Sequence, residues 1–499
     1  MDVLSPGALV NRPICSLATQ GLLAFCVSLV LAAPSRADLY GYWPLDAAPG
    51  GISPNTVGGG AAATLNGAAA IANDGTRGPV LSLNGSGGTY AAAGSLPSIT
   101  PGTDFTWSFW ALQTQPDPPS EPNDVILGNR LPDAGWIKFT PTNFEYRDIA
   151  PTFNSGIDIP DFTQAQGWTH NAVVKTGNQM IFYRNGIATG FAIATGTVAS
   201  PPFYMGGDAA AGENWGGLLD DVAVWTDALP RSSISGIARG LYTPTTAPTT
   251  GPGGGTPVFS ELYLDQFDDP VLSAWIPTTR GLENNAPAGY NPPDVTTNPG
   301  RLTLGGTTNN QYWYGNTVQL AADLPNLLET EVRVDRVSLS GSGTAYRSSL
   351  WIFGDDGHYL HFSQNVGENG WSYNANDAGG IGTNQPTGSG VNIASLDGLD
   401  GSLGEHEMKI VISPTGEPGD VSMFMYLDSQ LVAIQGFSNF PDTYTILLTG
   451  QARAAGDGVS AVFDDFRIAQ VPEPSTLALL ACALPVVVGG ILRCRKGRR

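Results

Sequence analysis

The strongest constraint on the fold is a strand signature that recurs along most of the chain with almost no helical pattern beside it. Short apolar stretches bounded by Gly, Pro, Asn or Asp appear in the first half as FTWSFWAL, DVILGN, WIKFTP, HNAVVKT, QMIFYRNGIATGFAI and DDVAVW. The second half continues with RLTLGG, LETEVRVDRVSL, SSLWIFG, HYLHFSQ, EMKIVISP, SMFMYLD, TILLTGQA and AVFDDFRIA. Many alternate with period two, the repeat of a strand with one buried face. Asn185-Gly186 sits between two such runs and predicts a tight hairpin. Only LPRSSISGIARGLY (Leu229 to Tyr242) suggests a turn or two of helix. Many short strands with frequent turns predict an all-β chain built as sandwiches.

The stretch TPTTAPTTGPGGGTP (Thr243 to Pro257) divides that pattern. It has no charge and no apolar periodicity, so it reads as a semi-extended spacer between sandwiches at 38–242 and 258–470. A second Pro-rich stretch, Gln113 to Asp124, reads as a surface loop within the first sandwich.

Both ends differ from the middle. Arg12, the apolar run GLLAFCVSLVLAA (Gly21 to Ala33) and Ser35-Arg36-Ala37 read as a signal peptide over 1–37, cut by signal peptidase before Asp38. Near the other end, Ser475 to Leu492 carries no charge and as a helix spans about 27 Å, enough for a bilayer core. Arg493, Arg495, Lys496, Arg498 and Arg499 follow, which orients a single C-terminal transmembrane helix with that end inside. The four cysteines, Cys15, Cys26, Cys482 and Cys494, all lie in these end segments, so the middle folds without disulfides. The chain has a formal charge of −21 despite its basic tail, which argues against a nucleic-acid partner because phosphate would be repelled.

Several stretches resemble known families. LYGYWPLD, LSLNGSGGTY, FTWSFWAL, GWTHNAVVKTGNQMIFYRNGIATG and GGLLDDVAVWTDALPRSSISGI run in the order of a laminin-G-like domain of the concanavalin A-like lectin/glucanase superfamily. Ser260 to Gln470, opening on LYLDQFDD and closing on AVFDDFRIA, is similar to jelly-roll domains of the same broad superfamily. Val471 to Arg499 resembles the PEP-CTERM sorting signal, with Pro472, Glu473 and Pro474 as its triplet. That resemblance implies processing by an exosortase in a bacterium that makes exopolysaccharide.

The candidate chemistry is sparse. A retaining glycosidase needs two carboxyls about 5 Å apart. Glu329, Glu331 and Asp335 in LLETEVRVDRV are wrongly spaced for the Glu-x-Asp strand of the superfamily's hydrolases, and Arg333 shares their face. They read as salt-linked charges on a solvated strand. Glu405 and Glu407 flank His406 at a strand entrance, and His358 and His361 face opposite sides of a strand. No HExxH, GxSxG, P-loop or dinucleotide motif appears, so the expectation is a non-catalytic protein.

Asp220-Asp221 and Asp464-Asp465 occupy matching places in the last strand of each sandwich, with Asp265, Asp268 and Asp269 in the first strand region of the second. These carboxylates are candidates for a structural calcium, because first and last strands are often neighbours. Candidate sugar-stacking positions in loops are Trp136, Glu213-Asn214-Trp215, Tyr312-Trp313-Tyr314 and Trp371. Trp43, Trp107, Trp110, Trp168 and Trp225 lie in strand patterns and are expected in cores. The resulting expectation is an exported surface protein that binds or organises carbohydrate, anchored to the membrane at least transiently. The alternatives are a structural surface protein without a defined ligand and an extracellular glycoside hydrolase.

Overall fold

The computed structural model describes residues 38–114, 124–130, 135–148, 153–159, 167–209, 213–249, 260–269, 272–278, 293–295, 300–308, 314–355, 357–377 and 392–471. The expected signal peptide and the Pro472-Glu473-Pro474 tail lie outside the described residues. Among the described residues, no helix is long and apolar enough to cross a membrane.

The strand signature produces four antiparallel sheets in two sandwiches. In the first sandwich, one eight-stranded sheet runs Ile187–Ile193, Gln179–Arg184, Thr169–Thr176, Phe105–Gln113, Gly216–Trp225, Gly78–Asn84 and Ala70–Asp74. Leu39–Trp43 also pairs with Gly216–Trp225, so the first and last strands are neighbours as the sequence suggested. This sheet faces the second sandwich and is called N-proximal below. Its partner, the N-distal sheet, runs Phe153–Asp158, Asn143–Asp148, Trp136–Phe139, Leu127–Gly128, Pro202–Met205, Tyr90–Ser95, Ala63–Asn66 and Ile52–Ser53. Trp43, Trp107, Phe109, Phe139, Phe144 and Trp215 fill the space between them. The Asn185-Gly186 turn forms as expected, with φ of 52° and 85°, the left-handed pair such a hairpin needs.

The C-proximal sheet is seven-stranded. It runs Ser260–Asp265, Gly458–Gln470, Thr330–Ser342, His406–Pro414, Val421–Leu427 and Gln430–Phe437, with Leu302–Thr307 also on Gly458–Gln470. The eight-stranded C-distal sheet runs Trp275–Pro277, Tyr314–Leu320, Thr443–Ala452, Tyr346–Asp355, His358–Val366, Gly370–Asp377 and Asn392–Ser395, with Leu324–Pro325 on Thr443–Ala452. Leu350, Phe362, Trp371, Ile410 and Phe463 lie in the core between them.

The two sandwiches share a third apolar cluster. Ala172, Val174, Tyr183, Ala188 and Trp225 on the outside of the N-proximal sheet meet Val411, Phe424, Leu431 and Ile434 on the outside of the C-proximal sheet. The helix Arg231–Ala238 fills the same cluster with Ile234 and Ile237. Each large apolar side chain fully buried there contributes about 1.5–3 kcal/mol. The Ala188 amide donates to Ser422 Oγ at 2.8 Å, and the Arg231 guanidinium lies 3.7 Å from the centre of the Phe424 ring while bonding Glu329 at 3.1 Å. The first half of the expected spacer takes part: Ala247 is buried in the cluster and the Pro248 carbonyl accepts a hydrogen bond from Ser233. The described molecule is thus a four-layer stack, with the two distal sheets presenting its outermost faces.

Candidate functional site

Unpaired polar atoms occur on the outside of the C-distal sheet. Register alignment lays six hydroxyl residues in one row across six strands: Thr317, Thr449, Ser349, Ser363, Ser372 and Ser395. The neighbouring row holds Leu447, Trp351, His361 and Asn374. Period two explains the grouping, since Arg347, Ser349, Trp351 and Phe353 must share the face opposite Leu350 and Ile352.

These side chains point away from the hydrophobic core, and all but the exposed Ser395 and the half-buried Asn374 are nevertheless buried, with Ser349 and Thr449 at 0 % exposure and Trp351 at 5 %. The Trp351 and His361 rings stack at 3.9 Å and 17°. His361 Nε2 lies 2.7 Å from Ser349 Oγ, and Trp351 Nε1 donates to Thr449 Oγ1 at 3.4 Å. Burial, then the charge of Arg347, hold His361 well below its ordinary value, so the imidazole is neutral. Arg347 donates to Gln451 Oε1 at 2.6 Å, and Asn365 Nδ2 donates to Ser372 Oγ at 2.6 Å. Two buried acceptors on this face, Thr317 Oγ1 and Asn374 Oδ1, have no partner among the described residues. The rim is more open, with Gln319, Tyr359 and Asn374 half-buried.

The N-distal outer face is built differently. Lys138, at 1 % exposure, places Nζ 3.1 Å from Glu213 Oε2 and 3.7 Å from Glu145 Oε2. Glu213 also pairs with Arg130, and the Arg130 amide donates to Asp208 Oδ2 at 2.7 Å. Trp136 donates its Nε1 to Glu145 Oε2 at 2.9 Å, with the Arg147 guanidinium 4.2 Å from its ring centre. Burial pushes Lys138 down to about 8 against the pull of Glu145. Gly128 pairs with Lys138 at φ 117°, and a Cβ there would lie 2.1 Å from the Ile137 carbonyl, so only glycine fits beside the lysine.

Several sugar-stacking expectations are corrected by burial. Trp215 is at 0 % exposure inside the first core, and Trp371 is at 2 % inside the second, donating to the Asp400 carbonyl at 2.7 Å. Neither ring offers a face to solvent. Trp136 lies in a strand rather than a loop, at 8 % exposure beneath Arg147. Glu213 joins Trp136 around Lys138, and Asn214 is buried beside Gly207. Tyr312 and Trp313 lie outside the described residues.

The paired aspartates sit at matching irregularities in the last strand of each sandwich, with φ of 50° at Asp221 and 49° at Asp465. In the first sandwich the pair holds the chain's own cation. Arg77 bonds Asp220 at 2.6 Å and Asp221 at 2.7 Å, flanked by Trp110 at 4.2 Å and Trp168 at 5.5 Å. Trp110 and Trp168 are therefore half-buried flanks of an ion pair, not core residues as expected. Burial and Asp221 push the Asp220 carboxyl up to about 7 despite Arg77. In the second sandwich, Asp265 accepts from Tyr263, Phe267 and Trp275, Asp464 lies 3.6 Å from Arg301, and Asp268 is exposed. No three acidic, His or Cys residues converge on a metal position among the described residues. Glu331 pairs with Lys409 at 3.5 Å, and Arg333 bonds Asp335 at 3.4 Å and Glu407 at 2.9 Å, the salt-linked face the sequence suggested.

Residues 84–235 match the family model described as the Concanavalin A-like lectin/glucanases superfamily, and that segment is a laminin-G-like domain. No curated protein sequence matches the chain. Solved structures with a similar arrangement include domain 4 of an extracellular arabinanase from Geobacillus stearothermophilus in complex with arabinotriose. It is 19% identical, covers 41% of this chain and 100% of that one, and has a TM-score of 0.31. An endo-1,3-beta-glucanase from Streptomyces sioyaensis is 14% identical over 44% of this chain and 100% of its own, at TM-score 0.34. The kappa-carrageenase from Pseudoalteromonas carrageenovora is 12% identical over 44% of this chain and 98% of its own, at TM-score 0.29. At these values the structural likenesses carry no argument about function.

Proposed function

We propose that the protein binds carbohydrate on the outer face of the C-distal sheet and does not cleave it. The observation that carries this reading is the half-buried rim of Gln319, Tyr359 and Asn374, which borders the six-strand hydroxyl row and the Trp351–His361 stack. A glycan is neutral, rich in hydroxyls and apolar on its ring faces. Neutral hydroxyl, amide and imidazole groups complement it without the desolvation cost of buried charge. The half-buried Tyr359 on the rim supplies an aromatic surface for a pyranose. Glycoside hydrolysis calls for two carboxyls, about 5–5.5 Å apart when retaining and about 6.5–9.5 Å when inverting. The outward positions of the four central described strands, from Thr445 to Asn374, carry Thr, Leu, Gln, Arg, Ser, Trp, Phe, Tyr, His and Asn, with no acid among them. In this reading the N-terminal segment directs export, and the PEP-CTERM-like tail holds the sandwiches at the cell surface for an exosortase.

The test is a polysaccharide and glycan array probed with the purified protein, followed by calorimetric titration of any hit. Wild type should bind at least one neutral glycan, and Asn374→Ala on the rim should weaken that binding about tenfold, near the value of one lost hydrogen bond. Absence of binding across the array would refute the reading, and new reducing ends would replace it with hydrolysis.

A further inference from the structure

A second constellation lies at the side of the second sandwich, apart from the hydroxyl face and sharing no residue with it. His406 opens the strand His406–Pro414 and is 3 % exposed. Its Nδ1 is 2.7 Å from Asp428 Oδ2, and its Nε2 is 2.8 Å from Ser402 Oγ. Asp428 is the first residue of the tight turn between Val421–Leu427 and Gln430–Phe437, with φ of 50°, followed by Ser429 at 66°. That turn aims the carboxylate. Its Oδ1 accepts from the Glu407 amide at 2.9 Å, leaving Oδ2 for the histidine.

The other two members are fixed as firmly. The Trp371 and His406 rings meet edge to face, with centroids 5.4 Å apart and planes at 82°. The Ser402 amide donates to Asp400 Oδ1 at 2.9 Å, and its carbonyl accepts from Gln364 Nε2 at 3.0 Å and Arg336 Nη2 at 3.4 Å. Ser402 itself is exposed. An ionised carboxylate only accepts, so Nδ1 carries the imidazole proton and Nε2 is left to accept from the Ser402 hydroxyl. A buried, oriented base thus faces an accessible hydroxyl, the arrangement that activates a nucleophilic serine.

We propose that Ser402, His406 and Asp428 form a serine-nucleophile centre that accepts the acyl group of a small carboxylic ester. Ser402 Oγ attacks the ester carbonyl carbon while its proton passes to His406 Nε2. The tetrahedral adduct collapses, the bond to the alcohol oxygen breaks, and that oxygen leaves with the proton from His406. Water deprotonated by His406 then attacks the acyl carbon, releasing the acid and restoring the Ser402 hydroxyl. Asp428 is a positioning residue that holds the imidazole tautomer. An ester is the fitting class, because its alkoxide leaves more readily than an amide's amine. The exposed Leu403 beside the serine suits a short apolar acyl group such as acetyl.

The experiment treats the purified full-length chain with a fluorophosphonate probe, locates adducts by mass spectrometry, and follows p-nitrophenyl acetate hydrolysis in parallel. Ser402 should be modified faster than every other serine, and Ser402→Ala should lose both the adduct and the hydrolysis above buffer. Asp428→Asn keeps a residue that tolerates positive φ and should slow modification on the order of 100-fold or more, while Asp428→Glu, which restores a carboxylate, should recover part of the rate. Circular dichroism checks that each variant is folded. Modification of Ser402 no faster than other exposed serines in wild type would overturn the proposal, as would equal rates for the Asn and Glu variants. Neither result depends on whether the hydroxyl face binds glycan.

Discussion

The two outermost faces of the stack bury polar side chains in opposite ways. On the N-distal face the buried groups are charged and spent on one another: Lys138 lies between Glu213 and Glu145, and Arg147 covers Trp136. On the C-distal face the central groups are mostly neutral, and acceptors at Thr317 and Asn374 remain unused among the described residues. The first arrangement is a closed network whose members are costly to separate. In the proposed reading the second takes a hydroxylated ligand, because its unspent capacity costs stability until something fills it.

The sharpest way to break this contrast is to remove one member from each face. Lys138→Met leaves Glu213 and Glu145 without the cation between them, and loss of one partner of a buried ion pair typically costs about 3–5 kcal/mol. Ser349→Ala on the other face removes one neutral hydrogen bond and should cost only about 1 kcal/mol. Denaturant titration of both variants measures the difference. Similar losses in the two would mean that the charged face is no more tightly knit than the hydroxyl face.

A gentler probe of the charged face is pH. Lys138 has a folded value pushed down to about 8, below its ordinary 10.5. Between those values the unfolded chain holds the lysine proton more often than the folded one, so stability contributed by this group rises with pH from about 8 to about 10.5. Below about 8 both states are protonated and the contribution is flat at its least favourable level. The difference in stability between wild type and Lys138→Met should therefore grow across that window. A difference that is constant or shrinks there would place the lysine in a wetter environment than the structure gives it.

How far these faces were legible in the sequence follows from what a strand pattern encodes. Alternation marks each strand and which residues share its side, so the strands around Trp107, Ile352 and Met423 and the Asn185-Gly186 turn could be read directly. Register across strands is not encoded locally. Nothing in SSLWIFG, HYLHFSQ or TILLTGQA alone shows that Ser349, Ser363 and Thr449 fall in one row. The aromatic-in-loop rule also misled at Trp215 and Trp371, because short segments entering a strand carry core side chains as readily as exposed ones. The Asp220-Asp221 pair was found, but its partner Arg77 is over 140 positions away in sequence and only strand pairing brings it near. Ser402, His406 and Asp428 likewise come from a loop, a strand entrance and a hairpin turn with no common motif.

The finest test of the contrast uses the smallest change. Thr317 Oγ1 is buried without a partner among the described residues, in a row where each neighbouring hydroxyl is one strand away. Thr317→Val keeps the shape of the side chain and replaces the hydroxyl by a methyl group. Removing an unsatisfied buried polar group should stabilise the free protein by up to about 1 kcal/mol, the reverse of what Lys138→Met does on the other face. The same change should weaken glycan binding, because the oxygen that costs stability in the free protein is one that a sugar hydroxyl would satisfy. Thermal unfolding and calorimetric titration read the two effects separately. Opposite signs mark Thr317 as part of a binding surface, whereas destabilisation would mean that its hydroxyl is already satisfied in the free protein and that the face is as closed as its counterpart.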